Sequence, residues 1–283
     1  MNINWYPGHM AKAKRMINEN LKLIDLVVEI LDARIPYSSR NPDFKELFKN
    51  KMQLVVLNKS DLADPLITKK WQDYYLSKDT SIVILNSKSG AGFKEFLNSV
   101  NRIMENKFEK DRLKGMLKRP VKVMVCGIPN SGKSTFINKL TGSAPAKTGD
   151  KPGVTKDRQW IKINTNIHLL DTPGLLWPKF NDELVAVNLA LTQAINDDIL
   201  DIEQLCKKLI EFLSMKYPIN LAGRYNLESI NKQPYDILLD ICENRKFNKL
   251  KGEPDILKAS IIILDEFRSG KMGRISLEEP NDF

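Results

Sequence analysis

The chain has 283 residues, 42% of them hydrophobic and 28% charged, and a formal net charge of +9. This composition excludes a disordered or fibrous chain, and no apolar run reaches the roughly 18 residues that a membrane span needs. Three scattered cysteines without a CxxC pair argue against a zinc ribbon or a disulfide framework, and "MNINWYPGHMAKAKRM" has no secretory h-region, so a reducing, cytoplasmic setting is expected.

Taken in chain order, the sequence opens with a basic, weakly amphipathic arm. Short β-rich apolar runs then end in polar loops: "LIDLVVEILDAR" (23–34), "MQLVVLNK" (52–59) and "SIVILNSK" (81–88). Helix-like segments such as "ITKKWQDYYLSK" and "GFKEFLNSVNRIMENKF" alternate with them, which predicts a mostly parallel sheet with helices on both faces. The stretch "KFEKDRLKGMLKRP" (107–120) carries six basic residues and reads as a linker or frayed helix end. The strand "VKVMVCG", a helix "KSTFINKLTG", and a hairpin from "RQWIKINTN" to "IHLLDTPG" follow. Beyond about residue 180 the apolar residues fall at helical spacing, so the expected fold is α/β over residues 1–178 and all-helical over 179–283. Charge divides similarly. Residues 1–180 hold 31 Lys+Arg against 17 Asp+Glu (31 − 17 = +14), and residues 181–283 hold 13 against 18 (13 − 18 = −5). The basic field of the first part suits a polyanionic partner, of which nucleic acid is the usual one.

The loops after the strands carry the chemistry. In "NKSD" the Asp61 carboxylate can accept from both N1–H and the exocyclic amine of guanine, a pair that adenine does not offer. Asn58 would support the loop and O6, and the Lys59 stem would lie over the purine. In "NSK" the backbone N–H groups near Ser87 and Lys88 are candidates to meet O6. "GIPNSGKS" matches GxxxxGK[ST] in full, between a buried strand and a helix. There Gly127, Asn130, Ser131, Gly132 and Thr135 build a curled backbone whose N–H groups point at phosphates. Lys133 would reach the β- and γ-phosphates, and the Ser134 hydroxyl would hold Mg²⁺. Asp171 of "DTPG" lies 44 residues after Gly127, placed to bind Mg²⁺, while the N–H of Gly174 can sense a γ-phosphate. Thr155 in "KPGVTKDR" either closes over Mg²⁺ or is an ordinary loop residue.

The order NKSD, NSK, GIPNSGKS, Thr155, DTPG resembles the circularly permuted GTPases of ribosome assembly, in which the two halves of a translation-factor-type GTPase domain are exchanged. Within that group, "WYPGHMAKAKR", "DARIPYSSRNP" and the helical tail resemble the ribosome biogenesis GTPase A family. The resemblance implies GTP hydrolysis to GDP and phosphate, slow alone and stimulated by the ribosome. It also implies binding to a maturing large (50S) subunit and its rRNA through the basic region, notably Lys12, Lys14, Arg15 and the 107–120 stretch, with release on hydrolysis and action as a monomer.

Many small GTPases carry a water-orienting Gln after DxxG, but here Leu175 and Leu176 stand there and cannot orient water. The resemblance points instead to His9 of "WYPGHM", whose imidazole can hydrogen-bond a water near neutral pH. His168, on an apolar strand, reads as structural. Asn130 stands where potassium-activated GTPases carry an Asn, so K⁺ is a candidate second cation, with an ordinary loop Asn as the alternative. The rival functions are a nucleotide-gated ribosome- or RNA-binding module with negligible catalysis, a GTPase acting on another RNA or on membranes, and a small-subunit assembly GTPase.

Overall fold

The computed structural model describes residues 8–115, 119–142, 159–164, 166–177, 180, 182–250 and 252–283, with residues 8–13, 159 and 164 described by backbone alone. The apolar runs become six strands: β1 (Leu26–Asp32), β2 (Met52–Asn58), β3 (Ile82–Ile84), β4 (Val121–Cys126), β5 (Gln159–Asn164) and β6 (Ile167–Asp171). Their order in the sheet is β3-β2-β1-β4-β6-β5. Every neighbouring pair is parallel except the edge hairpin of β5 and β6. All seven residues of β1 are buried, as expected of a central strand covered on both faces. Parallel strands bring their C-terminal ends to one edge, so the loops after Asp32, Asn58, Ile84, Cys126 and Asp171 converge there.

Before Asp171 the helices are α1 (Gly8–Leu21), α2 (Asp43–Leu47), α3 (Pro65–Ser77), α4 (Phe93–Leu113) and α5 (Lys133–Thr141). After it come α6 (Glu183–Leu191), α7 (Ile202–Lys216), α8 (Pro218–Tyr225), α9 (Pro234–Arg245) and α10 (Ile256–Arg268). On one face, Phe96, Val100, Phe136 and Ile137 of α4 and α5 pack on Val28, Ile30, Val123 and Val125. On the other, Met124, Cys126 and Leu170 join Leu175, Leu189, Leu209, Ile241 and Ile263 in one apolar cluster running from the sheet through the later helices. Aspartates at α3, α6, α7 and α10 (Asp64, Asp182, Asp201 and Asp255) accept from first-turn N–H groups, satisfying donors that a helix leaves open. Among the described residues, no helix is long and apolar enough to cross a membrane.

Of the two readings of the charged stretch from residue 107, the helix end is the one the structure shows, because α4 runs on to Leu113. Phe96, Val100 and Met104 recur every fourth residue against the sheet, and Phe108 extends that row half-buried. Lys107 also pairs with the buried Asp25, which Arg119 grips with two bonds of 2.7 and 2.8 Å. Burial would raise the Asp25 carboxyl, but these two cations and the Lys122 N–H hold it down at about 2. Two of the six basic residues expected to face RNA are therefore spent on an internal anchor. The helix α8 was not legible in the periodicity; it starts on Pro218, where a missing N–H costs nothing, and spans only eight residues.

After α10 the chain returns to the sheet edge as a strap. Ile275 N–H donates to Leu62 O and Leu277 N–H to Arg34 O, both at 2.9 Å. The Glu278 carboxylate is buried and accepts from the backbone N–H groups of Tyr37 and Ser38, the Ser38 hydroxyl and the Asn188 amide. Burial still dominates and pushes its carboxyl up to about 7; Glu29, buried in β1 beside Arg40, is likewise raised to about 7. Both carboxyls titrate near 4.5 when unperturbed, so between the two values the folded chain binds more protons than the unfolded one. This part of the stability is complete below the lower value and is lost as pH rises through the higher. Denaturant unfolding at about pH 5 and about pH 8 is expected to show a loss on the order of 2–3 kcal/mol per group, and Glu278→Gln should remove its share of that slope.

Candidate nucleotide-binding site

The site begins with a clamp between three loops. At the end of β2, the buried Asn58 donates through Nδ2 to Ser131 O (2.8 Å), while its Oδ1 accepts from the Ser87 N–H (3.1 Å) and hydroxyl (2.8 Å). One side chain thus joins the NKSD loop to the NSK and GIPNSGKS loops. Asn58 thus supports the loops, as expected, and the second N–H of its amide is a donor of the kind that a contact to O6 needs. Gly132 must be glycine beside that amide. Its φ is 92°, and a Cβ there would stand 2.3 Å from Asn58 Nδ2.

The NSK loop differs from expectation. The Ser87 N–H is taken by Asn58, and the N–H groups of Lys88 (2.9 Å) and Ser89 (3.1 Å) by Asn86 Oδ1. An Asx-type turn therefore satisfies the donors that were expected to face O6, because Asn side chains bond to backbone N–H groups two or three residues ahead.

The phosphate loop follows β4 and leads into α5 at Lys133. Gly127, at φ 150°, passes 2.4 Å (measured from an added Cβ) from Ile30 O, which leaves no room for a side chain. Lys133 is buried and donates to Ile128 O at 2.6 Å; burial lowers its pKa to about 8, against the pull of Asp171. The DTPG segment lies against this loop. Leu175 N–H donates to Gly127 O (3.1 Å) and Thr172 Oγ1 to Val125 O (2.7 Å). A Cβ on Gly174 would stand 2.8 Å from Pro129 N and 3.1 Å from Lys133 Nζ, so its backbone approaches the phosphate loop as a γ-phosphate sensor requires. Leu175 and Leu176 are buried, which removes both from any contact with water.

A cavity of about 310 Å³ opens between these loops, lined by Asn58, Lys59, Asp61, Ser87, Lys88, Asn130, Gly132, Lys133, Ser134 and Thr135. Gly127, Ser131, Asp171 and Gly174 do not line it. The Ser134 hydroxyl and the Asp171 carboxylate are hard oxygen donors of the kind Mg²⁺ prefers, and Asp171 lies near enough to Lys133 to raise its basicity. These residues fit a Mg²⁺–nucleotide. Thr155 lies outside the described residues. His9 falls in the first turn of α1, and its side chain is likewise outside them.

Sequence reasoning missed the ion network beneath the base loop. Asp32, at the end of β1, accepts from Arg34 Nε (3.0 Å) and Nη2 (2.8 Å), and Lys59 Nζ lies 3.0 Å from the same carboxylate. Burial would raise the Asp32 carboxyl, but Arg34 and Lys59 hold it well below the usual range. For Lys59 burial wins, and its pKa falls despite Asp32. Lys59 is also at φ 60°, so both its backbone and its ammonium are fixed. The available signal was "DARIP": an acidic residue closing an apolar strand two positions before an arginine.

A GxxxxGKS loop at a helix start, an NKSD loop on the neighbouring half of the sheet and a DTPG segment packed on the phosphate loop define a P-loop GTPase. The order of these parts along the chain makes it a circularly permuted one. Comparison with known proteins agrees. Residues 122–239 match the family described as 50S ribosome-binding GTPase. The chain is 45% identical to Ribosome biogenesis GTPase A of Bacillus cereus over 283 residues, 100% of this chain and 96% of that protein. The GDP-bound structure of TM YlqF superposes with a TM-score of 0.72 at 27% identity, covering 95% of this chain and all of that one. The GNP-bound YlqF from T. maritima gives 0.70 at 28% identity, covering 96% and 100%. The chain belongs to the ribosome biogenesis GTPase A family.

Two substitutions separate reading the base from building the loop. Asp61→Asn should exchange preference from guanine to xanthine nucleotides by at least about 100-fold in competition binding, with unfolding unchanged, because only the acceptor pair facing N1–H and the amine is altered. Asp32→Ala leaves Arg34 and Lys59 without their shared carboxylate. It should cost about 3 kcal/mol in urea unfolding and weaken every nucleotide alike.

Proposed function

We propose that this protein hydrolyses GTP as an assembly factor that binds the maturing large ribosomal subunit and leaves it on hydrolysis. The observation that carries the reading is the cavity where base-reading Asp61 and Lys59 face phosphate-loop residues Lys133 and Ser134, held together by Asn58. The relatives' names supply the ribosome. In this reading residues 1–178 are the GTPase domain and 179–283 the helical part, working as a monomer in the cytoplasm. Asp61 reads guanine, and Lys59 lies over the purine. Gly127, Asn130, Ser131, Gly132, Lys133, Ser134, Thr135 and Gly174 cradle the phosphates. Ser134, Asp171 and Thr155 would hold Mg²⁺, which supplies charge neutralisation between the β- and γ-phosphates.

Two buried leucines stand where many GTPases place a water-orienting Gln, so hydrolysis by the isolated chain is slow. We assign His9, in the first turn of α1, to orient the attacking water. Rivalry from a nucleotide-gated binder with negligible catalysis is favoured by the same leucines. Exposed Arg15 and half-buried Lys14, with exposed Lys110, Arg112 and Lys114 at the end of α4, supply the basic surface for rRNA.

Sedimentation with 30S, 50S and immature large-subunit particles in a non-hydrolysable GTP analogue tests the partner. Retention on large-subunit particles alone is expected, and retention on 30S particles would make it a small-subunit factor. In multiple turnover, large-subunit particles should raise GTP hydrolysis by about 10-fold or more, and His9→Ala should remove about 100-fold or more of the stimulated rate without loss of binding. Full stimulated turnover by His9→Ala rejects that assignment. K⁺ acting at Asn130 predicts faster hydrolysis in KCl than in NaCl, and equal rates dismiss it.

A further inference from the structure

The turn that ends α6 carries no motif, yet Thr192, Gln193 and Arg268 line the same cavity as Lys59, Asp61 and Lys133. Gln193 sits at φ 62°, a left-handed conformation that a non-glycine residue adopts only when its surroundings hold it there. The holding groups are identifiable. Gln193 N–H donates to Ala190 O (3.0 Å) and Ala194 N–H to Leu189 O (2.8 Å), closing the helix. Arg268, at the end of α10, caps it from outside through Nε to Leu191 O (3.0 Å) and Nη2 to Ala190 O (3.1 Å). The same guanidinium is pinned by Asp197 in two bonds of 2.6 and 2.8 Å.

So fixed, Gln193 turns its carbonyl to the phosphate loop, where Asn130 Nδ2 donates to it at 2.7 Å. Asn130 is itself left-handed, at φ 55°. Two strained backbone positions, 63 residues apart in sequence, are thus joined by one hydrogen bond across the nucleotide cavity. This bond sets which way the Asn130 amide faces, and it anchors a residue of the loop whose N–H groups must point together at the phosphates.

We propose that Gln193 is a positioning residue of the nucleotide site. Through its carbonyl, the α6 turn sets the phosphate loop at Asn130, and the Arg268–Asp197 pin makes nucleotide retention depend on how the helical part is seated. The proposal rests on the nucleotide-site reading above. A partner that moves α10 or α6 would loosen the phosphate loop without touching the nucleotide, and a partner that holds them would slow GDP release.

The test is release of radiolabelled GDP from the full chain, followed by filter retention after a chase of unlabelled GDP. Gln193→Val disfavours the left-handed turn and should speed release about 5- to 10-fold, the worth of one hydrogen bond. Gln193→Gly adopts the turn freely and should restore retention to within about 2-fold of the parent chain. Asp197→Asn loosens the pin and should act in the direction of Gln193→Val. Asn130→Ala should speed release by itself, and adding Gln193→Val to it should accelerate release no further, because both remove the same bond. Unchanged release in Gln193→Val, equal effects of the Val and Gly variants, or multiplied effects in the double variant would each overturn the proposal. Thermal unfolding of each variant separates loosening of the turn from loss of the fold. Lys133→Ala is the control for the site: if it retains GDP as the parent chain does, the nucleotide-site reading fails instead.

Discussion

The Asn58 amide is the point on which the site depends. It is buried at the C-terminal end of β2, and it ties the phosphate loop to the loop after β3 through bonds that have no water to replace them. Loss of such a bond leaves buried polar groups unpaired, which costs more than the bond is worth by itself. The clamp also sets side-chain size nearby, since Gly132 has no room for a Cβ beside it. Base recognition and phosphate recognition are therefore mechanically one unit, although their residues lie more than seventy positions apart in the chain.

Around this clamp the protein buries charge to hold loops in place. The Asp32–Arg34–Lys59 cluster lies under the base loop, with Arg34 also facing the Phe267 ring at 5.4 Å. Glu278 caps the turn after β1 from the far end of the chain. Buried ions are a weak source of stability but a strict source of geometry, because a wrong arrangement leaves a charge unpaired. Their placement here, beneath loops that must present donors to a ligand, fits that use.

Exchanging the two halves of the domain changes what the nucleotide loops are attached to. The DTPG segment leads into α6, whose terminal turn returns to the phosphate loop at Asn130. Residues 275–279, after α10, run beside Leu62 and Arg34. The apolar cluster beneath is continuous from Met124 and Leu170 to the helices α7, α9 and α10. The sheet edge is thus joined to the helical part through covalent connection, hydrogen bonds and a shared core.

The sequence by itself determined the strands, the four nucleotide motifs, the order in which they occur and the helical character of the final third. These are local properties: an apolar run, a glycine pattern, a carboxylate at a fixed offset. It left linker and helix end open for the charged stretch after residue 107, which is helical to Leu113 because Phe96, Val100 and Met104 bury at matching spacing. Tertiary structure alone decided that Asn58 engages its amide with Ser131 and Ser87 and that Lys59 is held by Asp32. It alone brought Gln193 and Arg268 to the site. None of the long-range contacts leaves a periodic or compositional trace, because each joins residues distant in the chain whose meeting only the fold supplies.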